Sequence, residues 1–360
     1  MDSRSTHVLA IDLVRFCCAM MVVAVHYAAL FPIENPLPRD WMWWSWPGWV
    51  GVELFFVISG YVIASSAASG DSADFLRRRV LRLAPAAWIC ASVTAAVILA
   101  SGAEPLGVVA PKWLASMTFW PVATQIDGSY WTLGIEVAFY LLVAVTLRPG
   151  SVERVGLGLA VLSGGYWAWV GAGAPVANRA VDLLLLSYGG FFAAGIALWS
   201  IRLHGWNGVR LGSLLVGLGA GGAEIVATSA EMARGIGVTT GPWPPLALFA
   251  SGLAVIVSAD RLQPLLARTI GARRLATLGL MTYPLYLIHQ RIGLIAIRAM
   301  IAAGVPGHLA MALAAALALL LAWGVVRVAE PVVRHWLAAR LSRRRAPRRD
   351  SLPSASLPIG

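Results

Sequence analysis

Charge is what this chain lacks. Only 12% of its 360 residues are Asp, Glu, Lys or Arg, while 59% are hydrophobic, and the mean hydropathy is +0.74. Soluble globular domains carry about 25% charged residues, so the composition indicates an integral membrane protein. Cysteine is scarce too. Cys17, Cys18 and Cys90 are an odd set lying in apolar runs, which argues against a disulfide framework or a zinc site and for small packing residues. GxSxG, Walker, strand-borne GxGxxG and HExxH patterns are missing. So are internal repeats, a sizeable soluble domain and a metal-ligand cluster. The formal charge of +11 comes without any nucleic-acid module; topology and anionic headgroups account for it better.

What is present is a series of long apolar runs. A span-length window places about ten transmembrane helices, near 8–31, 47–68, 81–101, 130–147, 154–172, 181–200, 209–229, 242–259, 275–300 and 307–328. A short interfacial segment is expected around 262–274. The first run is too long and too charged for a signal peptide and reads as a retained span. Basic residues fix the orientation. With a cytoplasmic N-terminus, the inner segments hold Arg4, Arg77 to Arg79, Arg82, Arg148, Arg154, Arg202, Arg210, Arg261, Arg268, Arg273, Arg274 and the tail. The outer loops keep Arg39, Lys112, Arg179, Arg234 and Arg298. The fold class is therefore all-α and polytopic, with both termini cytoplasmic and the protein in the inner (plasma) membrane. A transmembrane domain over 1–335 is followed by a basic, disordered tail over 336–360. Two outer loops are tryptophan-rich, with Trp41, Trp43, Trp44, Trp46 and Trp49 in one and Trp113 and Trp120 in the other. They fit an interfacial aromatic belt or a platform for stacking on sugar rings.

Ionisable residues inside the spans mark where chemistry can occur, because each is costly in hydrocarbon unless it faces a bundle interior or watery cavity. In LAIDLVRFCCAMMVVAVHY, His26 follows Arg15 by eleven positions, about three helical turns, so the two share a face roughly 16 Å apart. Asp12 lies within pairing distance of Arg15. Each residue alone also fits a packed bundle position or a snorkelling side chain; the shared face favours a site. Arg79 and Arg82, three apart in DFLRRRVLRLAP, make a receptor for phosphate or, more blandly, a topogenic anchor. Glu53 sits in GVELFFVISGY. In GSYWTLGIEVAFY, Thr132, Glu136 and Tyr140 form one polar face. Glu136 there can orient a catalytic imidazole, bind an acceptor hydroxyl or act as a structural hub. Thr282, Tyr286 and His289 share another face in a helix loosened at Pro284. Glu330-Pro331 reads as the terminator of the last span, its carboxylate pairing with an arginine.

In this order the chain resembles the acyltransferase 3 family of membrane O-acyltransferases. The resemblance rests on Arg15 and His26, GVELFFVISGY, the Arg78–Arg79–Arg82–Pro85 pattern, WTLGIEVAFY, TYPLYLIHQ and the late Glu-Pro. It implies transfer of an acyl group, commonly acetyl, from acyl-CoA to a hydroxyl of a carbohydrate, a glycoconjugate or a small molecule such as a macrolide. It also implies His26 as catalytic base, supported by Glu136, and Arg15, Arg79 and Arg82 on the donor side. Asp12, Glu53, Trp131, Thr282, Tyr286 and His289 are the implied acceptor or supporting residues. No cofactor is bound; acyl-CoA is a substrate, and membrane lipid is the other partner. Thr282 stands where the family often has Ser. A proton-coupled transporter would use similar residues, but paired half-repeats with broken helices are not seen.

Overall fold

The computed structural model describes residues 8–31, 40–67, 71–148, 150–175, 179–237 and 239–343, and among them every regular element is a helix. Expectations for Arg4, Arg39 and residues 344–360 lie outside the described residues. The chain is an all-α, polytopic membrane protein, and each expected span falls on a helix. These helices are α1 (Leu9–Ala24), α2 (Gly51–Ala67), α3 (Ser72–Ala100), α4 (Leu106–Met117), α5 (Trp131–Thr146), α6 (Ser151–Gly171), α7 (Gly189–His204), α8 (Gly208–Ile236), α9 (Trp243–Val257), α10 (Ala259–Thr269), α11 (Ala272–Ala302), α12 (Gly307–Gly324) and α13 (Glu330–Arg343). Among the described residues, seven helical stretches are long and apolar enough to cross a membrane alone, or eight when α9 and α10 count as one crossing bent by 85°. The helix beyond the bend, α10, covers much of the short segment expected over 262–274 and begins a little earlier.

The differences from the sequence reading have local causes. Asp71 caps α3 by accepting from the backbone N–H groups of Ala73 and Asp74, at 2.9 and 3.2 Å. A side-chain oxygen there satisfies donors that the helix start leaves open, so α3 begins well before residue 81 and carries the whole arginine cluster. The sixth expected span starts late, because residues 184–188 form turns that pass through Leu185 at φ 61°. Glu330-Pro331 does not terminate the last helix. A π segment, Val325–Ala329, joins α12 to α13. The helix is continuous there, with the Glu330 N–H bonded to the Val325 carbonyl, and the proline is carried just after the widened turn. The helix then runs to Arg343, so residues 336–343 of the expected disordered tail are helical.

The core is organised around α7, which is buried along the whole stretch Gly189–Ala197. A helix apolar all round belongs inside the bundle. It lies across α2 with backbone nearly touching backbone: a Cβ on Gly195 would overlap the Val57 carbonyl, and one on Gly60 would overlap that of Phe192. Small residues at such crossings let helices approach closely in a membrane. Leu141, Val145, Leu313 and Leu320 stay exposed on the outside of the bundle, as a lipid-facing surface requires. Gly195→Ala is expected to cost about 1–3 kcal/mol by overpacking, measurable as a lower midpoint for thermal loss of monodisperse protein in detergent. Gly222→Ala, whose Cβ meets nothing, is the control that should stay at the wild-type midpoint.

Candidate active site

His26 sits in a distortion of the first span. After Ala24 the α-helix widens into a π segment, Val25–Leu30, a feature that is rare and frequent at functional sites. The segment is fastened to α11 by Tyr27, whose hydroxyl donates to the His289 carbonyl at 2.8 Å in space that Gly293 leaves free. This docking brings two imidazoles together, with Nε2 of His289 3.1 Å from Nδ1 of His26 and ring centroids 5.0 Å apart. The surrounding carbonyls assign the protons. His289 Nδ1 lies 2.9 Å from the Tyr286 carbonyl and 3.1 Å from that of Leu285, so it carries the hydrogen and Nε2 is a lone pair. His26 Nδ1 faces that lone pair and the Val22 carbonyl at 2.8 Å, so it too carries the hydrogen. Nε2 of His26 is thereby left as an acceptor, the form a general base needs.

The arginines converge elsewhere. Arg15 from α1, Arg79 and Arg82 from α3, Ser59 from α2, Glu136 from α5 and Thr282 from α11 line a cavity of about 340 Å³. The guanidinium of Arg79 stands 5.6 Å from the Phe75 ring centre and 5.9 Å from that of Tyr140, and that of Arg82 5.9 Å from Tyr283. Such stacking orients a cation without neutralising it. Arg77 and Arg78 are engaged outside the cavity lining, the first with Asp74 at 3.7 Å and the second with the Ser66 carbonyl at 3.3 Å. Glu136 accepts a short hydrogen bond from Tyr140 and a 3.4 Å one from Ser59. It does not line either space beside His26; the carboxylate whose charge reaches His26 is Asp127. Asp12 is buried, its carboxyl against Gly279 on α11.

His26 opens on two further spaces. One, of about 240 Å³, is lined also by Trp49, Glu53, Trp131, Tyr286 and Gln290. The other, of about 460 Å³, is lined by Lys112, Gln125, Gln290 and Arg291. The first of these lies back to back with the arginine cavity, and the two share only Val52 and Tyr286. Tyr286 is held in this wall by Thr132, whose hydroxyl is 3.2 Å from its own, and by the edge of Phe55. Trp131 is braced by Arg179, which lies 5.8 Å from its ring centre and donates to its carbonyl at 2.5 Å. At the rim Glu104 takes Lys112 at 2.7 Å and Arg291 in a shorter contact. Those two cations, the Lys112 hydrogen bond foremost, hold the Glu104 carboxyl below the usual range.

Arg15, Arg79, Arg82, Glu136 and Thr282 thus share one cavity, while His26, Glu53 and Trp131 share another; Tyr286 faces both, and His289 stands behind His26 and lines neither. Three contributors escaped the sequence reading. Asp127 accepts from Ser129 and from the backbone N–H of Arg291 at 2.9 Å; its only signal was an Asp-Gly-Ser turn ahead of a span. Glu224 lies in a glycine-rich run that reads as packing, and Arg179 reads as a loop charge.

The bundle and its site define a class: an integral membrane protein with polar cavities set back to back beside a histidine pair. A family model described as an acyltransferase domain matches residues 8–327, and the chain belongs to that acyltransferase 3 family. It is 31% identical over 193 residues to the exopolysaccharide production protein ExoZ of Rhizobium meliloti (strain 1021), covering 50% of this chain and 59% of that one. It is 26% identical over 191 residues to nodulation protein 10 of Rhizobium leguminosarum bv. viciae, covering 47% and 52%. An O-acetyl transferase of Shigella phage Sf6 is 29% identical over 153 residues, covering 38% and 45%. The chain spans roughly half the length of these relatives. No solved structure matches it.

Proposed function

We propose that this protein transfers an acyl group, acetyl by analogy with its relatives, from acyl-CoA to a carbohydrate hydroxyl, with His26 as general base. The observation that carries the reading is the back-to-back arrangement. A cavity with three arginines and a chamber with an oriented imidazole meet at a wall made of two side chains, Val52 and Tyr286. Arginines bind phosphate through charge-assisted, geometrically matched hydrogen bonds, so Arg15, Arg79 and Arg82 hold the coenzyme A end while its pantetheine arm passes Tyr286. The acceptor enters by the spaces beside Trp131. Its hydroxyl oxygen attacks the thioester carbonyl, His26 Nε2 takes the hydroxyl proton, and the C–S bond breaks. The proton then returns to the departing thiolate. His289 and the Val22 carbonyl keep the imidazole in the tautomer this requires. The carbohydrate acceptor is supported by relatives named for exopolysaccharide production and O-acetyl transfer, and by indole faces of the kind that stack on sugar rings.

His26→Ala is expected to reduce acyl transfer by roughly 10²–10⁴-fold, the usual worth of a positioned base, without loss of membrane insertion. Turnover by that variant above half of wild type removes His26 from this role. Arg79→Ala and Arg82→Ala each remove a phosphate contact worth about 1.5–3 kcal/mol. They should raise the KM for acyl-CoA about tenfold or more with little change in the KM for acceptor. Arg77→Ala, whose partner is Asp74, should stay near wild type; equal losses at all three would mark the cluster as topogenic.

The basic-residue distribution puts the arginine cavity towards the cytoplasm and His26 towards the outer half of its span. Acyl-CoA and acceptor therefore approach from opposite faces. In sealed vesicles of known orientation, acyl-CoA supplied on the cytoplasmic side alone should acylate an acceptor confined to the other side. Transfer that requires both on the cytoplasmic side overturns this sidedness.

A further inference from the structure

A buried carboxylate stands just behind the wall of both spaces that open on His26. Asp127 is 1% exposed and lines neither space. Its neighbours do: Ile126 and Gly128 line the larger space, and Gly128 and Ser129 the smaller, each together with His26. The carboxylate ties this turn to α11. Oδ1 accepts from the Ser129 N–H at 3.0 Å and from its hydroxyl at 2.7 Å, and Oδ2 accepts from the Arg291 N–H at 2.9 Å. Arg291 lies two residues beyond His289. At Gln290, between the two, the side-chain oxygen would stand 2.6 Å from a Cβ on Gly128, so turn and helix meet without a gap. Both carboxyl oxygens face N–H groups, which can only donate, and such bonds favour the ionised form. Burial pushes this carboxyl above its usual range, and the Arg291 and Ser129 donors and a positive charge on His26 oppose the rise.

A base that takes a proton inside a helix bundle becomes a cation with little water to solvate it. His289 orients the imidazole but brings no negative charge, since its Nε2 lone pair receives the His26 hydrogen and its own hydrogen goes to carbonyls. The hydroxyls of Tyr27 and Tyr286 are engaged elsewhere, with the His289 carbonyl and with Thr132. Lys112 and Arg291 would oppose the charge and are held by Glu104 at the rim. Glu53, which lines the smaller space, stands within electrostatic reach of Glu224, so a charge on either carboxyl opposes one on the other. We propose that Asp127 is the counter-charge for the imidazolium formed on His26, a positioning residue that acts through His26 and through the turn of α11 that carries His289. The inference rests on the general-base reading above and adds the group that stabilises the protonated base. Asp127 takes no proton itself. The acceptor hydroxyl gives its proton to His26 Nε2, the C–S bond breaks after the C–O bond has formed, and the proton passes to the thiolate while the carboxylate stays ionised. Its charge reaches His26 across the turn, in surroundings where a fixed charge acts more strongly than in water.

The test uses the full chain in lipid nanodiscs. It reads thiol release from acetyl-CoA in the presence of a mixed panel of neutral and acidic oligosaccharides, with acetyl-CoA binding measured in parallel. The turnover lost in His26→Ala defines the activity assigned to the base. Asp127→Asn and Asp127→Ser remove the charge but keep residue types that cap a helix start. Each should lower the His26-dependent kcat roughly 10- to 100-fold, the worth of about one to two pH units of lost charge stabilisation. Acetyl-CoA binding should stay within twofold of wild type. Without the anion a proton on His26 is less favoured, so the acid limb of the pH profile should move to lower pH in both. Asp127→Glu keeps the charge and changes the shape, and should retain more turnover than Asp127→Asn; a cap with no electrostatic role predicts the reverse order. Turnover by Asp127→Asn equal to or above that of Asp127→Glu overturns the proposal, as does an acid limb that stays at the wild-type position. Loss of acetyl-CoA binding by both uncharged variants also overturns it, making Asp127 a folding residue. If His26→Ala releases thiol at the wild-type rate, the base reading itself falls. Wild-type behaviour of Asp127→Asn beside an inactive His26→Ala removes the counter-charge alone.

Discussion

The contact on which this structure turns is the one between two imidazoles, His26 and His289, on helices far apart in the chain. An imidazole surrounded by apolar helices is costly unless its N–H is donated and its lone pair has a use. The π segment of α1, the Tyr27 hydroxyl on the His289 carbonyl and the space left by Gly293 all serve to bring the rings to 3.1 Å. The backbone carbonyls of Val22, Leu285 and Tyr286 then leave a single arrangement of protons that satisfies every donor. What remains over is one ring nitrogen with a lone pair facing a cavity. The helical register of α1 alone would not have produced this, because a strict α-helix aims residue 26 differently.

Membrane burial explains why the remaining polar groups are distributed as they are. Two of the arginines that face the inner cavity, Arg79 and Arg82, are flanked by rings, Phe75 and Tyr140 for the first and Tyr283 for the second, rather than locked to a carboxylate. A cation left electrostatically available can bind phosphate; one already in a tight ion pair must first give up its partner. Arg77 and Arg78, which make protein contacts outside the cavity lining, show the contrast within a single turn of α3.

Much of this was legible in the sequence, and the parts that were not have a common origin. Helical periodicity is local, so it could bring Arg79 with Arg82, and Thr282 with Tyr286, to one cavity, whereas Arg15 and His26, which a regular helix would put on one face, line different cavities once the π segment intervenes. Periodicity cannot say which faces meet. Glu136 belonged to a polar stripe that a sequence reading could assign to His26 as readily as to the arginines; the structure gives it Tyr140 and Ser59 as partners in the arginine cavity. Asp127 is the reverse case, a loop residue with no periodic signal that reaches His26 because it caps the turn leading into α5 and ties that turn to α11. The late Glu-Pro misled for a different reason: a proline can be carried inside a continuous helix next to a π segment, and that segment has no composition of its own.

The two-residue wall between the cavities bears on selectivity against water. A thioester beside a histidine base hydrolyses if a water molecule takes the place of the acceptor hydroxyl, and excluding it calls for a dry, closed route for the donor. Val52 and Tyr286 provide such a partition, and Phe55 with Thr132 limits the rotation of Tyr286. Because Tyr286 lines the chamber beside His26 as well as the arginine cavity, any displacement of its ring from one side is felt on the other. His289, one turn further along the same helix, receives the Nδ1 hydrogen of His26 while its own Nδ1 is bonded to the Tyr286 carbonyl. Tyr286 and His289 are thus joined by a hydrogen bond from the His289 ring to the Tyr286 carbonyl, shared with the carbonyl of Leu285. Movement of the wall large enough to shift that carbonyl would loosen the imidazole it helps to orient, whereas rotation of the ring alone would not. On the donor reading proposed above, a narrow arm would therefore have to pass by a rotation of Tyr286 that breaks its contact with the Thr132 hydroxyl and leaves the carbonyl in place.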